Sequence, residues 1–311
     1  MAVIELYNHP VLLRYRASIC TKGTIFIIIV FLLTIIPPFF LAYRSEGFWI
    51  REAFYREQPD VHFKHQILLV LYLNEGNSYI AWSTYPNFNL IEQNHLTIPV
   101  VKTREEDINR DGRNDKLYFS VEVPIPDSKN VQSVDMILVF DYRLYRFSTF
   151  HMESLAYIHH TSFASGAQFI AEGDLKLHLK QPLAHKGTDS RYNVPVVDSD
   201  SVFAADYTFS TIFNNYISRN ATTSFVCDYP IWKTGRGAGQ PFVIQGSVGY
   251  TEELIMYVPG FWQTIKMGWI QYLAVLIIFI FIMEKVKKFV FENQIITTII
   301  ERPIPTKNHV M

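Results

Sequence analysis

Residues 24–43 read TIFIIIVFLLTIIPPFFLAY and contain no charge. At ~1.5 Å of rise per residue, a helix of this length covers the ~30 Å hydrocarbon core of a bilayer. Only a helix satisfies its backbone polar groups there within a single segment. A second such stretch, residues 267–283, reads MGWIQYLAVLIIFIFIM. The chain therefore reads as a membrane protein with two transmembrane helices flanking a mainly antiparallel, β-sandwich-like ectodomain with one amphipathic helix. The divisions are a tail over 1–23, a span over 24–43, a β-rich domain over 44–262, a span over 263–283 and a tail over 284–311.

Basic residues near span ends favour the cytoplasm. Arg14, Arg16 and Lys22 before the first span are matched by Arg44, Arg51 and Arg56 after it. The second span breaks the tie, with Lys285, Lys287 and Lys288 against Lys266. Both tails are expected in the cytoplasm and the middle domain in the lumenal or extracellular space. The first span is longer than the core of a cleaved signal peptide, and no A-x-A site follows it, so it reads as an uncleaved anchor. The first tail, with Val3, Leu6, Tyr7, Val11, Leu12 and Tyr15 among basic residues and interrupted by Pro10, reads as a disordered or surface-lying segment. Cys20 and Cys227 fall on opposite sides of the membrane in this topology, which argues against pairing. Net charge is −1, from 28 Lys and Arg against 29 Asp and Glu, so no electrostatic argument points to nucleic acid. Membrane lipid is the partner that the composition implies.

Between the spans the hydrophobic pattern has period 2, the mark of a strand with one face buried. Leu117, Phe119, Val121 and Val123 alternate with polar residues, as do Leu175, Leu177 and Leu179, while Met136, Leu138, Phe140, Tyr142 and Leu144 line another face. Further strands are expected over 66–73, 79–85, 96–101, 152–159 and 242–249. Many short strands without a βαβ rhythm point to an antiparallel sandwich. Tyr207, Phe209, Ile212, Phe213 and Tyr216 fall near helical spacing, with Asp206 placed to cap the helix. This stripe is expected to pack on the sheet. Within the spans, Pro37 and Pro38 deprive the carbonyls of Leu33 and Thr34 of their helical donors, with Thr34 able to compensate in part. Gln271 is the one amide of the second span.

The sharpest local motif is Asp107-Ile-Asn109-Arg-Asp111-Gly-Arg113-Asn-Asp115. Oxygen donors recur every second residue and Gly112 takes the sixth place, as in the first three-quarters of an EF-hand loop. Asp107, Asn109, Asp111, Asp115 and the Arg113 carbonyl could offer calcium five oxygens. The twelfth place is Tyr118, where a bidentate Glu belongs, and the flanks read as strands. Calcium is accordingly one reading and a self-bonded Asx turn the other. Asn220-Ala-Thr222 is a glycosylation sequon. His62 and His65, and the adjacent His159 and His160, should diverge on strands and read as ordinary packed or surface residues. The pairs Glu105-Glu106 and Glu252-Glu253 have no visible partner. No H-E-x-x-H, G-x-S-x-G or Walker loop occurs, so nothing points to catalysis or to a required cofactor.

Several blocks, read in order, resemble the transmembrane protein 231 family. They are Leu6-Tyr7-x-His9-Pro10, Tyr15-Arg16-Ala17, Pro37-Pro38, Arg44-Ser-Glu-Gly-Phe-Trp49, Glu57-Gln-Pro59, Ala81-Trp-Ser-Thr84, Thr103-Arg-Glu-Glu-Asp107, Arg191-Tyr-Asn193, Pro259-Gly-Phe-Trp262 and Phe289-Val-Phe-x-Asn-Gln294. The match extends to about Thr298. The resemblance implies a two-span component of the ciliary transition zone, in the Meckel-syndrome module with tectonics, B9-domain proteins and other transmembrane subunits. That module gates the entry of membrane proteins into the cilium and supports ciliogenesis and Hedgehog signalling. Relatives often carry a glycosylation site where Asn193 stands; Pro195 removes it here.

Three functions fit the residues: a structural interaction protein, an accessory subunit of a channel or transporter packing through its two spans, and a lumenal hydrolase. The first two stand close on the residues alone, since a hydrolase needs paired carboxylates in a cleft. The resemblance favours the first, a non-enzymatic part of a membrane diffusion barrier.

Overall fold

A computed structural model describes residues 13–44, 49–74 and 78–301. The tail pattern from Val3 to Leu12, residues 45–48 of the Arg44–Trp49 block, and the basic Arg302 and Lys307 lie outside the described residues. In chain order the elements are β1 (Arg14–Arg16), α1 (Lys22–Arg44), β2 (Ala53–Glu57), β3 (Asp60–Leu73), β4 (Tyr79–Ser83), α2 (Pro86–Ile91) and β5 (Val100–Glu106). Next come β6 (Lys116–Val123), β7 (Val131–Leu144), β8 (Thr149–Leu179), β9 (Thr188–Tyr192), a 3-10 turn (Ala204–Tyr207) and α3 (Phe209–Ile217). The chain continues through β10 (Ala221–Val226), β11 (Ile231–Thr234), β12 (Phe242–Gly249), β13 (Glu253–Tyr257), α4 (Phe261–Glu292) and β14 (Ile299–Glu301). They form two compact units, Met1–Arg51 with Gly260–Met311, and Glu52–Pro259.

In the first unit, α1 and α4 are long and apolar enough to cross a membrane. Few of their positions are fully buried. On α1 these are Gly23, Val30, Pro38 and Ala42; on α4 only Gly268 is fully buried. Gly23 faces Ala17, Thr21 and Thr298, which lie outside α4. Most of the Ile, Leu and Phe side chains of both helices are exposed. Apolar surface on that scale belongs in lipid. α4 has 32 residues, about 48 Å at helical rise, so its last turns, with Lys285, Lys287 and Lys288, outrun the hydrocarbon. The tails are not structureless throughout. β1 pairs antiparallel with β14, Tyr15 opposite Ile300, and Arg16 meets Glu301 at 2.9 Å. Gln294 turns the chain back with a left-handed φ of 49°.

The second unit is built on β8, 31 residues long. Its first half pairs antiparallel with β7, from Phe150 opposite Leu144 to Gly166 opposite Val131. Its second half pairs in parallel with β12, from Gln168 to Asp174, and on the other edge with β11 and β10. The order is β4-β3-β7-β8-β12-β6-β5. β8 thus belongs to two half-sheets whose inner faces share one core, with Leu69, Met136 and Phe140 from one side and Leu117, Phe119, Phe242 and Val248 from the other. The sheet is mostly antiparallel, as the alternation implies; β8–β12 and β8–β9 are parallel.

The strand expected over 152–159 and the one marked by Leu175, Leu177 and Leu179 are one strand, β8. The intervening Thr161, Phe163, Phe169 and Ile170 suit extended backbone, and Gly166 is not a turn: the Trp232 ring fills the space where its Cβ would be, 2.3 Å away. The strand expected over 96–101 starts later, at Val100. Pro99 cannot donate to a ladder, and Leu96 keeps only a single bridge to Ala81.

The outer face of β3, β7 and β8 is covered by a second core. Ile212 and Tyr216 of α3, with Tyr207 and Phe88, pack on Leu68, Val70, Ile137, Val139 and Leu155. The amphipathic stripe faces the sheet as its spacing requires. Its cap is not Asp206, however. Thr208 occupies the N-cap position, because a 3-10 turn intervenes and the Asp206 carboxylate accepts the Ser201 hydroxyl at 2.5 Å. α2 is a second, short helix that the pattern did not indicate.

At Gly246 the β12 backbone passes so close to β8 that a Cβ would lie 1.9 Å from the Ala171 carbonyl oxygen. Gly246→Ala must force the two strands apart. It is expected to cost on the order of 2–4 kcal/mol, measured as a fall in the unfolding midpoint of the purified protein.

Candidate functional site

Three places carry chemistry that could matter to function: the helix pair, a buried carboxylate pair, and the Asp-rich loop with the sequon. At the helix pair, Ile35, Ile36, Phe39, Phe40, Trp49, Ile265, Trp269 and Tyr272 line an apolar cleft of about 550 Å³. Pro38 is buried within the helix that forms one wall. Thr34 does not serve the carbonyls that the prolines leave without donors. Its hydroxyl donates to the Val30 carbonyl at 2.7 Å. The Gln271 carboxamide oxygen is buried and has no hydrogen-bond partner among the described residues. In hydrocarbon such a group seeks a donor on another helix.

β2 and β13 form an antiparallel ribbon of their own, with Glu57 directly opposite Glu253. Both side chains are buried. Glu57 accepts the amides of Tyr145 and Arg146 at 2.8 and 3.1 Å. The Glu253 carboxylate accepts the Leu177 amide at 2.8 Å through Oε2, while Oε1 has no partner among the described residues. Burial pushes Glu253 up to about 7, with Asp174 adding to the rise and the Leu177 amide and Lys176 opposing it. The Tyr142 hydroxyl, also buried without a partner among the described residues, is driven upward by burial and then by Glu253 and Glu57. Adjacency of Glu252 and Glu253 gave no sign of this pair, because its second member comes from a strand some two hundred residues away in the chain.

The Asp-rich loop joins β5 to β6 and closes on itself. Asp107 accepts the amides of Arg110, Asp111 and Gly112 at 2.6, 3.2 and 2.9 Å. Asn109 accepts the Asp111 amide at 2.9 Å and donates to the Asp111 carboxylate at 3.0 Å. Asp111 accepts the Arg113 amide at 2.9 Å, and Arg113 in turn donates to the Gln58 carbonyl. Asp115 accepts Gln58 at 2.7 Å and the amides of Ile108 and Asn109 at 2.8 and 3.2 Å. Burial works against the Asp115 carboxylate, but these three donors outweigh it and hold its pKa below the usual range. Arg110 and Gly112 take left-handed φ values of 60° and 86°. The oxygens converge on the loop's amides and not on a common point. Among the described residues no three Asp, Glu, His or Cys side chains are grouped to hold a metal ion. A cation at this loop competes with those amides for every side-chain oxygen.

Asn220 stands at the start of β10, where its carboxamide donates to Gln181 at 3.1 Å on the surface. The histidines diverge: His159 meets Asp135, while His160 stacks on Phe169. His62 meets Asp60 at 3.2 Å, and His65 sits in a bulge with a φ of 56°. Cys20 and Cys227 are free.

A family model described as Transmembrane protein 231 matches residues 1–300. Transmembrane protein 231 of Xenopus tropicalis is 47% identical over 311 residues, spanning 99% of this chain and 99% of its own length. The Gallus gallus protein of that name is 45% identical over 98% of this chain and 96% of its own. The Homo sapiens protein is 45% identical over 96% of this chain and 95% of its own. Among solved structures, a proton-activated chloride channel determined by cryo-EM overlaps 86% of this chain and 98% of its own at 10% identity, with a TM-score of 0.22. So loose an overlap carries no argument.

Three measurements test these sites. Below pH 4.5 the Glu253 carboxyl is neutral in the folded and unfolded chain alike. Between 4.5 and about 7 the unfolded chain releases the proton and the folded one retains it, so stability falls as pH rises. Thermal melts across pH 5 to 8 should show that decline, and Glu253→Gln should flatten it. In chelator, Asp107→Ala should destabilise the β5–β6 hairpin by about 1–2 kcal/mol through the lost amide bonds. Calorimetric titration of calcium into the full-length protein then decides the metal reading: heat that Asp111→Ala abolishes assigns an ion to the loop, and no heat at millimolar calcium leaves a self-closed turn.

Proposed function

The chain belongs to the transmembrane protein 231 family, and we propose that it is a non-enzymatic structural component of the ciliary transition-zone complex. In this reading it acts in the membrane diffusion barrier that gates entry of ciliary membrane proteins, and so supports ciliogenesis and Hedgehog signalling. The observation that carries the reading is the family match over residues 1–300, which spans both membrane helices and the whole β domain. Tectonics, B9-domain proteins and other transmembrane subunits of the Meckel-syndrome module are the proposed partners, with bilayer lipid around the helices.

The architecture supports such a part physically. Two apolar helices with exposed flanks offer lateral surface to other spans, and the Gln271 oxygen has no partner among the described residues. We place both tails in the cytoplasm. The three lysines in the last turns of α4, Lys285, Lys287 and Lys288, support this, and the β1–β14 pairing supports a common side for the two ends. The β domain is then lumenal or extracellular, and Asn220 is its glycan acceptor. Gln271 also favours the second reading, an accessory subunit that packs against the spans of a channel or transporter.

Imaging separates the two. A tagged chain in ciliated cells should form a ring at the base of the cilium, and its loss should let excluded membrane proteins into the ciliary membrane. Diffuse signal over the plasma membrane or endoplasmic reticulum would overturn the barrier reading in favour of the accessory subunit. Glycosidase should shift the wild-type band and leave Asn220→Gln unmoved; a wild-type band that never shifts counts against the lumenal assignment.

A further inference from the structure

Where α2 and the start of α3 pass over β3 and β4, the second unit holds a cavity of about 280 Å³. Its walls are aromatic: Tyr72 and Tyr79 on the strand side, Phe88, Tyr207 and Phe209 on the helix side, with the Glu92 carboxylate at its margin. Phe88 and Tyr207 are buried at its floor, while Tyr72 is 42% exposed, so the cavity opens to solvent. The walls are fixed before anything enters. The Tyr79 hydroxyl donates to Glu92 at 2.8 Å, the Tyr79 ring is backed by His95 stacked at 4.0 Å, and the Tyr207 hydroxyl donates to the Ser201 carbonyl at 2.9 Å. Tyr72 and Tyr79 lie 6.4 Å apart, and Phe88 and Tyr207 5.5 Å.

We propose that this cavity binds an organic ammonium ion, held on the faces of its rings and drawn in by the Glu92 carboxylate. Aromatic faces present negative charge to a cation within ~6 Å of the ring centre, and a weakly hydrated ammonium gains most from them. The wider surroundings have the same sign. The Tyr72 hydroxyl is raised first by burial and then by Asp135; that of Tyr207 is raised first by burial and then by Asp198, Asp200 and Asp206. Among the described residues, no Lys or Arg lines the cavity. The acidic surroundings repel phosphate, so a phospholipid headgroup, which carries its cation next to a phosphate, is disfavoured. What fits is a cation without an adjoining anion: a free quaternary amine, or the lysine terminus of a partner protein.

The test uses the full-length protein in a maltoside detergent, which carries no choline, and three probes followed by calorimetry: choline, its neutral isostere 3,3-dimethyl-1-butanol, and a lysine blocked at both ends. At least one cation should bind about tenfold more tightly than the isostere. Tyr72→Leu and Glu92→Gln should each weaken that binding by about fivefold while leaving the ligand-free melting curve in place. The tighter of the two cations names the source, free amine or lysine side chain. Equal binding of the isostere, no saturable binding of either cation, or full affinity in both variants would overturn the proposal. Should Glu92→Gln melt early, Tyr79→Phe keeps the ring and removes only its bond to Glu92, and should retain most of the ring-dependent affinity.

Discussion

The β domain depends on the hydrogen-bond capacity of one strand. A strand has two edges, and β8 uses both along most of its length: β7 and then β12 on one, β9, β11 and β10 on the other. No single sheet could accommodate five partners along so short a body without twisting. The strand therefore passes from one half-sheet into the next, and the inner faces of the halves meet around a common core. Gly166 and Gly173 let neighbours approach where a side chain would stand in the way; at Gly173 a Cβ would sit 2.1 Å from the Val226 carbonyl oxygen. The architecture follows from one long ladder and the few residues that let it be approached on all sides.

Much of this is legible in the sequence. The spans announce themselves by length and lack of charge, and the alternation at Leu117–Val123 and Met136–Leu144 marks strands that the structure contains. The amphipathic stripe from Tyr207 to Tyr216 packs where its spacing implies. What escapes is pairing. Periodicity reports which face of a strand is buried and says nothing about which neighbour lies at its edge, so the parallel β8–β12 contact and the continuity of β8 leave no local trace. The cap of α3 was misplaced for a related reason. A carboxylate near a helix start suits a cap, but Ser201 reaches Asp206 from outside the helix and claims it.

Side-chain chemistry was legible to a smaller degree. The regular oxygen spacing from Asp107 to Asp115 is real, and the structure shows what such spacing does when each oxygen finds a nearby amide. The Glu57–Glu253 pair and the aromatic cavity both depend on residues far apart in the chain, and only the fold brings them together. The helix pair sits between these cases. Its apolarity is plain from composition, whereas the burial of Gly23, Val30, Pro38, Ala42 and Gly268 emerges only in the folded chain.

The short ribbon between β1 and β14 carries a temporal consequence. Its two strands lie at opposite limits of the described chain, so the pairing joins residues translated early to residues translated about 285 positions later. While the ribosome is still adding residues, Arg16 waits beside the membrane without Glu301. A product that stops short of β14 carries the sequence of both helices and of the β body and lacks this clasp. A three-residue pairing thus waits on the translation of Glu301.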